Sequence, residues 1–236
     1  MKDFGWFDKL LTISGTYLPS TRKDVKDIMA AYDLEHGGIR PKKYRAYDVS
    51  SRLIKKAALK TGGMGGLTCV PAALPVVGTL GTVALGSAVD LYYLMRTQIE
   101  LCYAVSVAYE VEMDEEELKA ITLAILGFSG SAETLKALTS GVLRRSIDEI
   151  ASGYLKTGLS KASYEVMERL VPQFLKRTYK LIPFLGIPLG ASINIASTLI
   201  VGNQARRYFS IWADSELLGD ITEEHLLRLP GAVEES

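Results

Sequence analysis

LTCVPAALPVVGTLGTVALGSAV, residues 67–89, is the stretch on which the reading of this chain turns. It runs for 23 positions without a charge, long enough to cross a bilayer as a helix. Two prolines, three glycines and several Thr, Ser and Ala make it milder than a typical span. Gly78, Gly81 and Gly86 allow close backbone approach. The following DLYYLMRTQIELCYAVSVAYE contains no breaker, so a helix is expected through Asp90 to about Tyr109. A second uncharged stretch, LIPFLGIPLGASINIASTLIVGNQA, covers residues 181–205 and echoes the first: LPVVGTLG at 74–81 is matched by IPFLGIPLG at 182–190. In each, an apolar-Pro-apolar-apolar-Gly turn leads into a helix. The two read as analogous Gly/Pro-rich apolar helical hairpins, packed together through their small residues.

Upstream lies TGGMGG at 61–66, read as a hinge because four glycines weaken a regular helix. A phosphate loop is not indicated: Lys60 and Thr61 precede the glycines, whereas a Walker motif places its Lys-Ser/Thr pair after them. Before the hinge, Pro41 opens a basic helix to about Lys60 that holds Lys42, Lys43, Arg45, Arg52, Lys55 and Lys56. An earlier helix is expected from a Thr21–Asp24 capping box to Glu35, after a break at Pro19–Ser20 and before a stop at Gly37–Gly38. Residues 4–18 suit a short amphipathic helix presenting Trp6, Phe7, Leu10 and Leu11.

Downstream, Asp114 caps a helix opened by MDEEEL and reaching about Gly127. Ser131 caps the next, with Gly141 and Gly153 as soft points. Residues 161–180 form a helix carrying Lys176, Arg177 and Lys180. Arg206–Arg207 start a further helix, and Thr222 caps a last short one before an acidic tail. No stretch shows β alternation bounded by hairpin turns. The fold class is all-α: a multi-helix bundle with an N-terminal appendage at 1–38, a main helical domain at 39–212 and an acidic C-terminal helix and tail at 213–236.

The net charge of zero hides four blocks. Residues 1–60 carry 13 Lys/Arg and 7 Asp/Glu, 61–140 carry 3 and 9, 141–212 carry 10 and 4, and 213–236 carry 1 and 7. Either these alternating blocks neutralise one another in the folded chain, or the basic ones face anionic lipid. On the second reading Lys42, Lys43, Arg45, Arg52, Lys55, Lys56, Lys176, Arg177 and Lys180 are the candidate contacts to lipid headgroups or to an acidic partner.

The residues give no catalytic, cofactor-binding or metal constellation. His36 and His225 are the only histidines, Cys69 and Cys102 the only cysteines, and both cysteines lie in apolar surroundings that suit buried thiols in a reducing compartment. There is no HExxH, CxxC or GxSxG, and no nucleic-acid-binding aromatic signature. No secretory signal is evident, and the expected location is cytoplasmic, at the inner face of the cell membrane. The remaining candidates are polar residues set in apolar helices: Asp90, Arg96, Gln98, Asn194 and Thr198. Asp90 and Asn194 follow their Pro/Gly-rich turns by similar distances. A buried Asp90 needs a partner, because an uncompensated carboxylate is costly in an apolar setting.

Together the two apolar stretches resemble the EcsC family. The likeness spans about residues 40–212 and rests on Pro75, Gly78, Gly86, Asp90 and Gln98 in the first stretch. In the second it rests on Pro183, Gly186, Gly190, Asn194, Thr198, Gly202, Ala205, Tyr208 and Phe209. That bacterial family takes its name from a member encoded beside an ABC transporter pair. The resemblance implies a helical, membrane-linked accessory protein, and it brings no catalytic residues. The leading functional expectation is therefore a non-enzymatic scaffold at a membrane, possessing a membrane or membrane-protein partner and no cofactor. One alternative is a soluble bundle that binds a partner or an apolar ligand. Another is a lipid-acting hydrolase using Asp90 with Thr79, Thr82 or Ser87.

Overall fold

A computed structural model describes residues 7, 9–12, 18–69, 80–129, 140–178 and 186–227. At 64–69, 80–88, 129, 140, 173–178, 186–190 and 216–227 it describes the backbone alone. The described residues are all-helical, as the patterning predicts. Seven helices are delimited: α1 (Leu18–Glu35), α2 (Lys42–Cys69), α3 (Leu80–Ala108), α4 (Glu115–Ser129), α5 (Ser140–Thr157), α6 (Leu159–Thr178) and α7 (Gly186–Leu227).

Helices α2, α3 and α7 pack against one another, α2 against α7 most extensively. Helix α1 lies on α3, α4 and α5 pack against α7, and α6 packs against α4 and α5. The core is apolar on all sides at its centre: every residue from Leu101 to Tyr109 is buried, and so is every residue from Ala120 to Leu126. Leu143, Ile147, Val166, Met167, Tyr208 and Phe209 close around them. Phe7, Leu10 and Leu11 join this core. Val25, Met29 and Tyr32 seat α1 against Val49, Ala104, Val107 and Ala108. Each such fully buried large side chain contributes about 1.5–3 kcal/mol relative to exposure.

Helix ends follow the capping chemistry. Gly37 and Gly38 both take positive φ, and their N–H groups donate to Leu34 and Asp33 carbonyls at 3.4 and 2.8 Å, stopping α1. Asp114 Oδ1 accepts from the Glu117 N–H at 2.8 Å, opening α4. At the end of α3 the same Schellman geometry has Glu110, not glycine, at φ 55°. The Val111 N–H donates to the Ser106 carbonyl and the Glu110 N–H to Val107. A side chain there costs about 1–2 kcal/mol. The Glu110 carboxylate lies between Lys42 and Arg45, which hold it.

Three boundaries differ from expectation. Helix α1 starts at Leu18, not Thr21, because a proline in the first turn loses only an N–H that would have no helical partner. TGGMGG is not a hinge: α2 continues through it to Cys69. The reason lies in the packing, since a Cβ on Gly62 would sit 2.5 Å from Ile195 Cγ1 of α7. Glycine there lets α2 and α7 approach, and the contact outweighs its poor propensity. Likewise α7 is one helix over 42 residues, with no new start at Arg206 or Thr222. At Gly202 an added Cβ would meet Ile54 Cγ1 at 2.8 Å and Leu101 Cδ2 at 2.9 Å. The turns of both expected hairpins, including Pro75, Gly78 and Pro183, lie outside the described residues, as do Trp6, Thr79, Ser131 and Lys180.

Burial pushes the Cys102 thiol up to about 12 and raises the Tyr103, Tyr109 and Tyr154 phenols. Tyr208 is raised by burial and by its bond to Asp148. Such groups keep their protons in the folded chain at pH values where the unfolded chain loses them, so alkali favours unfolding. Urea unfolding should show stability steady below about pH 9 and falling above it, more steeply above pH 10. Cys102→Ala should flatten the first part of that fall.

Gly202→Ala should destabilise the fold by about 1–3 kcal/mol through overpacking. Gly63→Ala, which meets open space, should stabilise it by about 0.5–1 kcal/mol. Thermal unfolding of the two variants beside the wild type tests the packing: equal shifts in the same direction would refute it.

Candidate functional site

The directions of α2, α3 and α7 follow from their contacts. Along α2, Ile54 meets Gly202 and Gly62 meets Ile195, so α2 and α7 are antiparallel. Along α3, Asp90 bonds Asn194 and Gln98 bonds Ser197, so α3 and α7 are parallel. All three helices therefore direct their uncharged ends the same way: α2 its C-terminus, α3 and α7 their N-termini.

Where those ends begin, a polar cluster joins the three helices. Asn194 Nδ2 donates to Asp90 Oδ1 at 2.9 Å and Oδ2 at 3.1 Å. Thr61 Oγ1 lies 2.9 Å from Thr198 Oγ1 and 3.0 Å from the Ala58 carbonyl it donates to. Asn194 Nδ2 also reaches the Thr61 carbonyl at 3.5 Å. One turn below, Gln98 Nε2 donates to Ser197 Oγ at 3.0 Å. Asp90 is 9% exposed, Asn194 2%, Gln98 1%, and Thr61 and Thr198 are fully buried. A carboxyl group withdrawn this far from water is held by the amide that spans both its oxygens.

Of the five polar candidates, the structure thus gathers Asp90, Gln98, Asn194 and Thr198. Arg96 is not among them: it points along the outside of α3, where its Nε lies 2.8 Å from Glu100. Sequence reasoning missed Thr61 and Ser197. Thr61 stands at the boundary between the basic helix and the uncharged stretch, which was its available signal.

The basic candidates divide differently. Lys42 pairs with Glu110 at 3.0 Å, Lys43 with Asp214 at 2.9 Å, Arg45 with Asp33 at 2.7 Å and with Glu110, and Arg52 with Glu35 at 3.2 Å. Here the charge blocks compensate each other within the molecule. Lys55 and Lys56 are exposed. The side chains of Lys176 and Arg177 are not described, and Lys180 lies outside the described residues. The Arg45–Glu110 pair stands between two clefts, of about 250 Å³ beside Tyr109 and Ser210 and about 600 Å³ beside Met29 and Val111.

His36 stacks on Tyr32 with ring centroids 4.0 Å apart and bonds the Tyr32 carbonyl, which explains it as part of the α1 terminus. Cys102 is a buried free thiol. Among the described residues no group of three or more His, Cys, Asp or Glu could hold a metal ion, and no helix is long and apolar enough to cross a membrane. The side chains of Thr82 and Ser87 are not described. No protein-family model matches the chain, and no match was found among curated proteins or solved structures.

The cluster makes an energetic prediction. Asn194→Leu and Asp90→Leu should each destabilise by about 1.5–3 kcal/mol, since each leaves a buried polar group short of its partner. The double variant should cost less than the sum of the two. Additive costs in urea unfolding would show that the two side chains do not depend on each other.

Proposed function

We propose that this chain is a non-enzymatic accessory or scaffold protein that associates with a membrane through the apolar end of its bundle, in the manner its resemblance to the EcsC family suggests. The observation that carries this reading is the convergence of three uncharged helix ends. Beyond the polar cluster, α2 runs on to Cys69, α3 reaches back to Leu80 and α7 to Gly186, all at one end. No charge occurs from Thr61 to Val89 or from Leu181 to Ala205. Helix ends so devoid of charge, gathered at one pole, suit an apolar medium better than water.

The polar cluster fits a scaffold role. The Asp90 carboxylate of α3 is engaged by the Asn194 amide of α7, an arrangement that ties helices together. Linkage to an ABC transporter, as the family likeness implies, would place the partner in the same membrane.

A second reading, a soluble bundle that binds a partner, draws support from the ion pairs that already neutralise Lys42, Lys43, Arg45 and Arg52. Carbonate-wash fractionation of cells producing the full-length protein separates the two. Retention in the washed membrane pellet is the expected result. Recovery in the cytosolic fraction without any wash would establish the soluble bundle instead.

A further inference from the structure

We infer that the larger of the two clefts beside Arg45 binds a small organic acid with an apolar body, its carboxylate held by Arg22 and Lys26. The cleft stands at the other end of α2 and α3 from their uncharged stretches, so this site goes beyond the membrane reading and does not depend on it.

One wall is a single face of α1. Arg22, Lys26, Met29, Ala30 and Asp33 recur at helical spacing, and all five line the cleft. The other wall is Val107, near the end of α3, with Val111, Glu112 and Met113 beyond the Glu110 bend. Arg45 of α2 stands at the Asp33 end, where it bonds Asp33 at 2.7 Å and pairs with Glu110. The two walls are thus tied to each other before any ligand arrives, and a site ordered in advance loses less on binding. The cleft holds about 600 Å³, within the usual range for small molecules.

The ligand class follows from the order of side chains along α1: two cations first, then an apolar middle. Met29, Val107 and Val111 are buried and Met113 is half-buried. A ligand body placed there meets apolar side chains, two of them adaptable thioethers. Lys26 and Ala30 are about 6 Å apart along the helix axis, a distance that a short chain or one ring covers.

Charge decides the head. Of the three acids on the lining, Asp33 and Glu110 are already paired with Arg45, and Glu110 with Lys42 as well. Asp24 and Asp27, also on α1, do not line the cleft. That leaves Arg22 and Lys26 against Glu112, all exposed and none in an ion pair among the described residues. Both cations are on one wall and the acid is on the other, so the α1 side attracts an anion. An excess of a single positive charge matches a carboxylate better than a phosphate dianion.

Isothermal titration calorimetry of the full-length protein tests this with octanoate and phenylacetate, beside octanol and phenylethanol as their uncharged counterparts. One saturable site is expected for each acid, with the alcohols about tenfold weaker. Arg22→Gln/Lys26→Gln should weaken the acids about tenfold and leave the alcohols unchanged. Ala30→Trp, at an exposed position on the lining, should fill the cleft and abolish binding. Thermal unfolding checks that both variants keep the fold, and the glutamine pair, on the surface of α1, decides the matter even where the tryptophan weakens it. Acid binding untouched by the glutamine pair would overturn the assignment of the carboxylate to Arg22 and Lys26. Binding untouched by the tryptophan would overturn the cleft as the site. No saturable binding of either acid at millimolar concentration would overturn both.

Discussion

Asp90 carries a carboxyl group into a position where water scarcely reaches it, and the arrangement of the three long helices can be derived from how that group is held. The Asn194 amide must lie within hydrogen-bond distance of both carboxylate oxygens, which fixes the lateral and axial placement of α7 against α3. The Asn194 amide also reaches the Thr61 carbonyl, which brings in α2. Such approach is possible only where side chains are absent from the crossing, and Gly62 and Gly202 provide it. Polar pairing sets the register of these helices, and glycine permits the distance at which the pairing works.

Away from that cluster the molecule solves its electrostatics locally. The basic first turns of α2 meet acids from α1, from the α3 terminus and from α7. Alternating charge blocks along the chain are thus, at this end, the trace of helices that lie side by side. Exposed pairs of this kind stabilise little individually. Glu110 differs, because two cations hold it in a backbone conformation that would otherwise favour glycine.

Much of this was legible in the sequence. Helical class, the Gly37–Gly38 stop, the Asp114 cap and the apolar run of α3 all depend on local chemistry, and local chemistry is what a sequence displays. Asp90 and Asn194 stood out because a polar side chain in an apolar run needs a reason. Their pairing could only be guessed from their parallel placement after similar turns. The glycines misled, and for a physical cause: TGGMGG weakens an isolated helix, but what keeps α2 helical is Ile195, more than a hundred residues away in sequence. Arg96 misled for the opposite reason, since its partner Glu100 is one turn along and takes it out of the interior. Thr61 offered a single signal, its place where the basic helix gives way to the uncharged stretch.

The unbroken length of α7 has a mechanical consequence. Over 42 residues it spans about 63 Å as one rod. It is fastened near its start at Asn194, at mid-length through Gly202 and again at Asp214, where it meets Lys43 at the opposite end of α2. A rod pinned at three stations cannot slide by a fraction of a turn at one without dragging the others. Any force that moves the uncharged pole along the helix axis must therefore be felt at the first turn of α2, so the two poles behave as the ends of a single stiff strut.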